Sequence, residues 1–131
     1  MTVELRNAAS LPAPAGFSHL SIGPPGRVVH FAGQIGTDES GTLADGLAAQ
    51  TTRSLDNLIE ALHAAGAGPE DLAKITIYIV DWTEARPPEL FTGVAGAGTR
   101  LPLVPITLIG VQSLFLDAAL VEIEGVAVLA D

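Results

Sequence analysis

The chain contains no cysteine. That excludes disulfide staples, thiolate nucleophiles and the thiolate-rich zinc sites. Cations are scarce as well: Lys and Arg together number 6 against 15 acids, and the formal charge is −9. A protein that grips nucleic acid replaces phosphate counterions with a basic patch. Six scattered cations do not supply one, so no nucleic-acid partner is expected. No run approaches the ~20 apolar residues of a membrane span. Residues 1–6 show no basic region leading into an apolar stretch, so no secretory signal is expected and a cytoplasmic location is the default. No repeat, low-complexity tract or linker divides the sequence. Residues 1–131 therefore read as a single domain, 48% hydrophobic and long enough to bury a core without staples.

What is present is strong periodicity. Residues 1–16 are rich in Ala and Pro and read as an extended lead-in. Phe17 to Ile22 and Arg27 to Ala32 read as two strands joined by Gly23-Pro24-Pro25-Gly26, which predicts a hairpin. From Gly46 to Ala65, apolar residues recur every three or four positions (Leu47, Leu55, Leu58, Ile59, Leu62). This predicts an amphipathic helix with Asp45 as N-cap and Gly66 as its stop. Lys74 to Val80 alternates cleanly, with Ile75, Ile77 and Ile79 on one face and Lys74, Thr76 and Tyr78 on the other. Pro87-Pro88 opens a weaker helix to about Ala97, lowered in propensity by Gly93 and Gly96. Strands follow over Leu103–Leu114 and Ala119–Leu129. The order is ββαβαββ, which predicts an α+β domain with two helices on one face of a mixed sheet. The other face is too apolar to meet water alone, so it is expected to meet copies of itself in a closed oligomer.

Within the last strand, Glu122 and Glu124 interrupt an apolar run. Two residues apart, they share one face while Val121, Ile123 and Gly125 share the other. A carboxylate among β-branched residues is costly unless it is exposed, paired or used. Pairing with Lys74 or Arg27 across an interface is the structural account; acid or base chemistry is the functional one. His19 and His30 have no third ligand at metal-site spacing, so no metal is expected. Gly33-Gln34-Ile35-Gly36 lacks the lysine and the glycine spacing of a phosphate loop. Trp82, at the end of a strand, is expected to pack rather than to stack on a ligand.

Several segments occur together in one order: Phe17-Ser18-His19, Phe31-Ala32-Gly33-Gln34-Ile35-Gly36, Gln50 with Leu55-Asp56-Asn57-Leu58, Ala65-Gly66, Lys74 to Asp81 and Val121 to Val128. In this the chain resembles the RidA/YjgF family, also called endoribonuclease L-PSP or translation-inhibitor proteins, over nearly its whole length. The resemblance implies a chorismate-mutase-like fold of the bacillus type and a homotrimer with small-molecule clefts at the subunit interfaces. It also implies hydrolysis of enamines and imines to a keto acid and ammonia, with no metal or organic cofactor. The family acid that positions or activates water matches Glu122, and the small-residue step that offers backbone groups to a ligand matches Ala32 and Gly33. The family aromatic matches Phe17 by motif or His19 by ungapped spacing, and Glu89 falls where an asparagine often stands.

One element is missing. The family's deaminases hold the substrate carboxylate with an arginine in a Pro-Ala-Arg element, a bidentate pairing that suits arginine best. Here the place is taken by Thr107 when counted back from Val121-Glu122, or by Ile106 when anchored on Gly110-Val111 and Leu114. Arg100 and Arg27 are the cations considered as replacements. The resemblance thus implies a RidA-type trimer acting on an imine or enamine other than the standard 2-imino acids. The alternatives are a non-catalytic small-molecule-binding or chaperone-like trimer and, opposed by the acidity, an endoribonuclease or translation inhibitor.

Overall fold

The computed structural model describes residues 2–131. Its strands and helices run β1 (Glu4–Arg6), β2 (Leu20–Ile22), β3 (Gly26–Ile35), α1 (Gly46–Ala64), β4 (Leu72–Val80), α2 (Pro87–Ala95), β5 (Ile106–Val111) and β6 (Val121–Ala130). A four-stranded sheet has the order β3-β6-β4-β5. β6 pairs antiparallel with both β3 and β4, while β4 and β5 run parallel. The parallel pair needs a crossover, and α2 lies within it.

The alternation of β4 and β6 survives intact. Ile75, Ile77, Ile79, Val121, Ile123 and Ala127 are buried on one side of the sheet. Against that side α1 lays Leu47, Leu55, Leu58, Ile59 and Leu62, in contact with β3 and β6. Gly66, at φ +75, ends the helix as expected. The Ala67 amide donates to the Leu62 carbonyl and the Gly66 amide to the His63 carbonyl, a left-handed C-terminal cap that glycine adopts without steric cost. Asp45 occupies the N-cap with an extended backbone, but its side chain makes no capping bond. Gln50 ties α1 to the segment leading into β6: its amide donates to the carbonyls of Ala44 and Ala118, and its carbonyl accepts from the Leu120 amide. α2 packs on α1 through Gly93, where a Cβ would press into the Ala48 carbonyl and Thr51.

The first hairpin is a correction. β2 pairs antiparallel with β1, inside the segment expected to be an unpaired lead-in, and makes no ladder with β3. Pro24 and Pro25 carry no amide hydrogen, so the connection between β2 and β3 cannot extend a ladder. β2 is instead fastened near the start of β4, where Ser21 Oγ donates to the Ala73 carbonyl. The strand expected over Leu103–Leu114 is also shorter: β5 runs only from Ile106 to Val111, beginning after Pro102 and Pro105. α2 stops at Ala95 rather than Ala97.

A candidate site on the uncovered face of the sheet

Among the described residues the face opposite α1 carries no helix, and at one end Gly23, in the connection before β3, lies against Val128. Glu122, Glu124, Val126 and Val128 of β6 lie on it, half-buried, as do Lys74, Thr76 and Tyr78 of β4. Register fixes the neighbours: Tyr78 stands opposite Glu122, Thr76 opposite Glu124, and Thr107 of β5 beside Thr76.

Gly33 lies where the β3–β6 register breaks, between Phe31 and Gln34. A bulge re-aims the strand at that point. A Cβ at Gly33 would fall on the Glu122 carboxylate, well inside van der Waals distance. Glycine therefore lets the backbone of β3 approach the acid directly. The Ala32 carbonyl, one residue earlier, accepts from the Gln34 side-chain amide at 3.1 Å.

Glu124 has a partner: the Tyr78 hydroxyl donates to its Oε1. That bond, then desolvation, then the negative charges of Glu124 and Glu122, hold the Tyr78 phenol above its ordinary pKa. Tyr78 thus stays a protonated donor at neutral pH. Glu122 has no hydrogen-bond or ion-pair partner among the described residues. Among the described residues the ion pairs are Arg6–Glu4 and Arg86–Glu89. The interface pairing of Glu122 with Lys74 or Arg27 is not made within the chain. Lys74 instead donates to Thr107 Oγ1 at 2.6 Å.

The two positions considered for the absent arginine point to opposite sides. Thr107 aligns with Thr76 on the acidic face, whereas Ile106 aligns with Ile75 and lines an apolar cleft on the helix side. Neither replacement cation is on the acidic face. Arg100 lines that same apolar cleft, and Arg27 shares its pleat face with Val29, which packs against the core. The nearest cation to Thr107 is Lys74. Strand parity placed it on the right face, but only the β4–β5 register brings it to Thr107.

The remaining expected site residues stand elsewhere. Phe17 lines the helix-side cleft and meets the His19 ring edge-on, with centroids 6.2 Å apart. Both ring nitrogens of His19 are engaged: Nδ1 accepts from the Ala8 amide at 3.0 Å, and Nε2 bonds the Pro12 carbonyl at 2.9 Å. Those bonds, with the Asn7 side chain accepting from the His19 amide, hold the loop between β1 and β2. Glu89 is in the first turn of α2, on the helix side, paired with Arg86 at 3.4 Å. Among the described residues no group of three His, Cys, Asp or Glu side chains could hold a metal ion, and no helix is long and apolar enough to cross a membrane.

The chain as a whole is similar to known proteins and solved structures. The family described as endoribonuclease L-PSP matches residues 7–129. The Rid-family protein YyfB of Yersinia pestis is 34% identical, with a TM-score of 0.85, over 98% of this chain and 100% of that one. A member of the YjgF/YER057c/UK114 family from Mycobacterium tuberculosis is 30% identical, with a TM-score of 0.62, over 98% and 100% of the two chains. Escherichia coli TdcF, solved with bound serine, shares the fold at 21% identity and a TM-score of 0.70, over 99% of each chain. No curated protein matches the sequence. The chain belongs to the RidA/YjgF family.

Gly33 offers a direct test of the site's construction. The clash created by Gly33→Ala falls on the free end of a glutamate, which can swing away. Thermal unfolding should therefore change by no more than about 1 kcal/mol, as for a partly exposed substitution. The carboxylate should nevertheless move, and a crystal structure of the variant should show Glu122 in a different rotamer. An unmoved Glu122 would mean that β3 yields instead.

Proposed function

We propose that this protein is a RidA-type homotrimer that binds a small molecule in clefts at its subunit interfaces and hydrolyses an imine or enamine other than the standard 2-imino acids. The observation that carries the reading is the unpartnered Glu122 carboxylate, set against Gly33 on the face that also carries Thr107, one of the two positions the resemblance offers for the arginine. In such a reaction water adds to the imine carbon, the nitrogen takes a proton, and the resulting carbinolamine loses ammonia to leave a carbonyl. Both steps need a group that holds water and passes a proton, and a glutamate with no other partner is suited to that.

The uncovered face supports assembly. Val28 and Ile109 are 57% and 40% exposed there, beside half-buried Val126 and Val128. An apolar sheet face of this kind is stabilised by burial against another copy. Such burial would also desolvate Glu122. The formal charge of −9 weighs against a ribonuclease.

The reading is tested by assaying purified protein on 2-imino acids generated in situ from amino acids, beside imines and enamines that lack the carboxylate. Turnover is expected for the second group and not the first. Turnover of 2-imino acids at the rate of an arginine-bearing family member would overturn the substrate assignment. No turnover of any imine would favour a non-catalytic binding protein, the alternative that loss of the clamp supports.

A further inference from the structure

On the helix side of the sheet, away from Glu122, an apolar cleft of about 700 Å³ opens between α2 and strands β4 and β5. Its floor is Ile75 and Ile77 of β4 with Ile106 and Leu108 of β5. The cleft follows from how α2 is held. Gly93 draws the helix onto α1, and Leu90 is buried, but Phe91 is 66% exposed at the lip and does not fill the space. An apolar cavity is a poor place for water, which needs polar partners, and an empty one costs the contacts its lining forgoes. Its volume is that of a site for a small organic molecule. Arg100 is the single charged residue lining it, with no acid among the lining residues, and no carboxylate pairs with Arg100 among the described residues.

We infer that this cleft is a second binding site, for a monoanionic amphiphile: a medium-chain or aromatic carboxylate whose apolar body lies on the β4–β5 floor and whose head group meets Arg100. The charge sets the sign of the ligand, and the lining sets its body. A cation would meet Arg100 with no acid to offset it, and a neutral alcohol would leave the guanidinium without its partner. The inference does not depend on the chemistry proposed for Glu122, because the two sites lie on opposite sides of the sheet.

The test uses octanoate, with octanol and octylamine as controls, titrated into the purified protein. Binding is followed by calorimetry and by the fluorescence of Trp82, the chain's single tryptophan and part of the cleft lining. Octanoate should bind saturably at one per chain and shift Trp82 emission. Arg100→Gln should weaken octanoate about tenfold, the size of a lost charge-assisted contact, and leave octanol unchanged. Val94→Phe, which narrows the mouth, should weaken both ligands. Unfolding temperatures of both variants show whether each remains folded. The inference is overturned if octanoate does not saturate, if octanol binds as tightly, or if Arg100→Gln has no effect. It is overturned equally if Trp82 emission changes only on dissociation of the oligomer, since a neighbouring copy would then cover the cleft.

Discussion

Glu122→Gln should reduce turnover of any imine or enamine that the protein hydrolyses by about 10²- to 10⁴-fold, the contribution typical of a positioned acid or base. The amide keeps the size of the side chain and its approach to Gly33 but neither accepts nor releases a proton at neutral pH. Folding should be little affected, because Glu122 makes no hydrogen bond or ion pair within the chain that the amide would break. Glu124→Gln is the built-in comparison. Glu124 shares the face but accepts the Tyr78 hydroxyl, so its loss should act through the position of Tyr78 and cost much less. The measurement is kcat and KM for both variants on the best substrate of the panel, with unfolding temperatures alongside. Equal losses in the two would assign the effect to the face's total charge. Unchanged turnover in Glu122→Gln would remove Glu122 from the mechanism.

The contrast between the two acids shows what could be read before the fold was known. Their shared face follows from the two-residue period of a strand, and so does the burial of Ile75, Ile77 and Ile79. The long helix was legible for the same kind of reason, since its apolar stripe runs from Leu47 to Leu62 and a glycine follows it. Pairing was less legible. β1 is three residues long, too short for any period, so the turn signal at Gly23 to Gly26 points β2 to β3 when its partner is β1. Contacts across strands were not legible at all. Nothing local in the sequence says that Thr107 lies beside Thr76, that Lys74 reaches Thr107, or that Gly33 meets Glu122, because each depends on register between distant segments. His19 illustrates the opposite hazard. Ungapped spacing offers it as a ligand contact, while its two ring nitrogens are engaged in closing a loop.

Restoring the clamp should change what the protein accepts. Thr107→Arg places a guanidinium on the acidic face, in register with Thr76 and in the strand next to the pair formed by Tyr78 and Glu122. A bidentate pair with a substrate carboxylate is expected to raise kcat/KM for 2-imino acids by about 10- to 100-fold, since a hydrogen bond to a charged group contributes ~1.5–3 kcal/mol net. Turnover of imines without a carboxylate should stay flat or fall, because the new side chain occupies space that threonine leaves open. Lys74 sharpens the test. It now donates to the Thr107 hydroxyl, and that bond is lost in the variant, leaving two cations side by side. Pairing Thr107→Arg with Lys74→Met removes the repulsion. If the double variant exceeds the single one, Lys74 is a neutral bystander to catalysis and an obstacle to the clamp. If the gain on 2-imino acids disappears instead, Lys74 itself contributes to holding the carboxylate. Failure of both variants to gain activity on 2-imino acids, with folding intact, would show that threonine at this position is not what sets the substrate, and the cause would have to lie in the cleft's other walls.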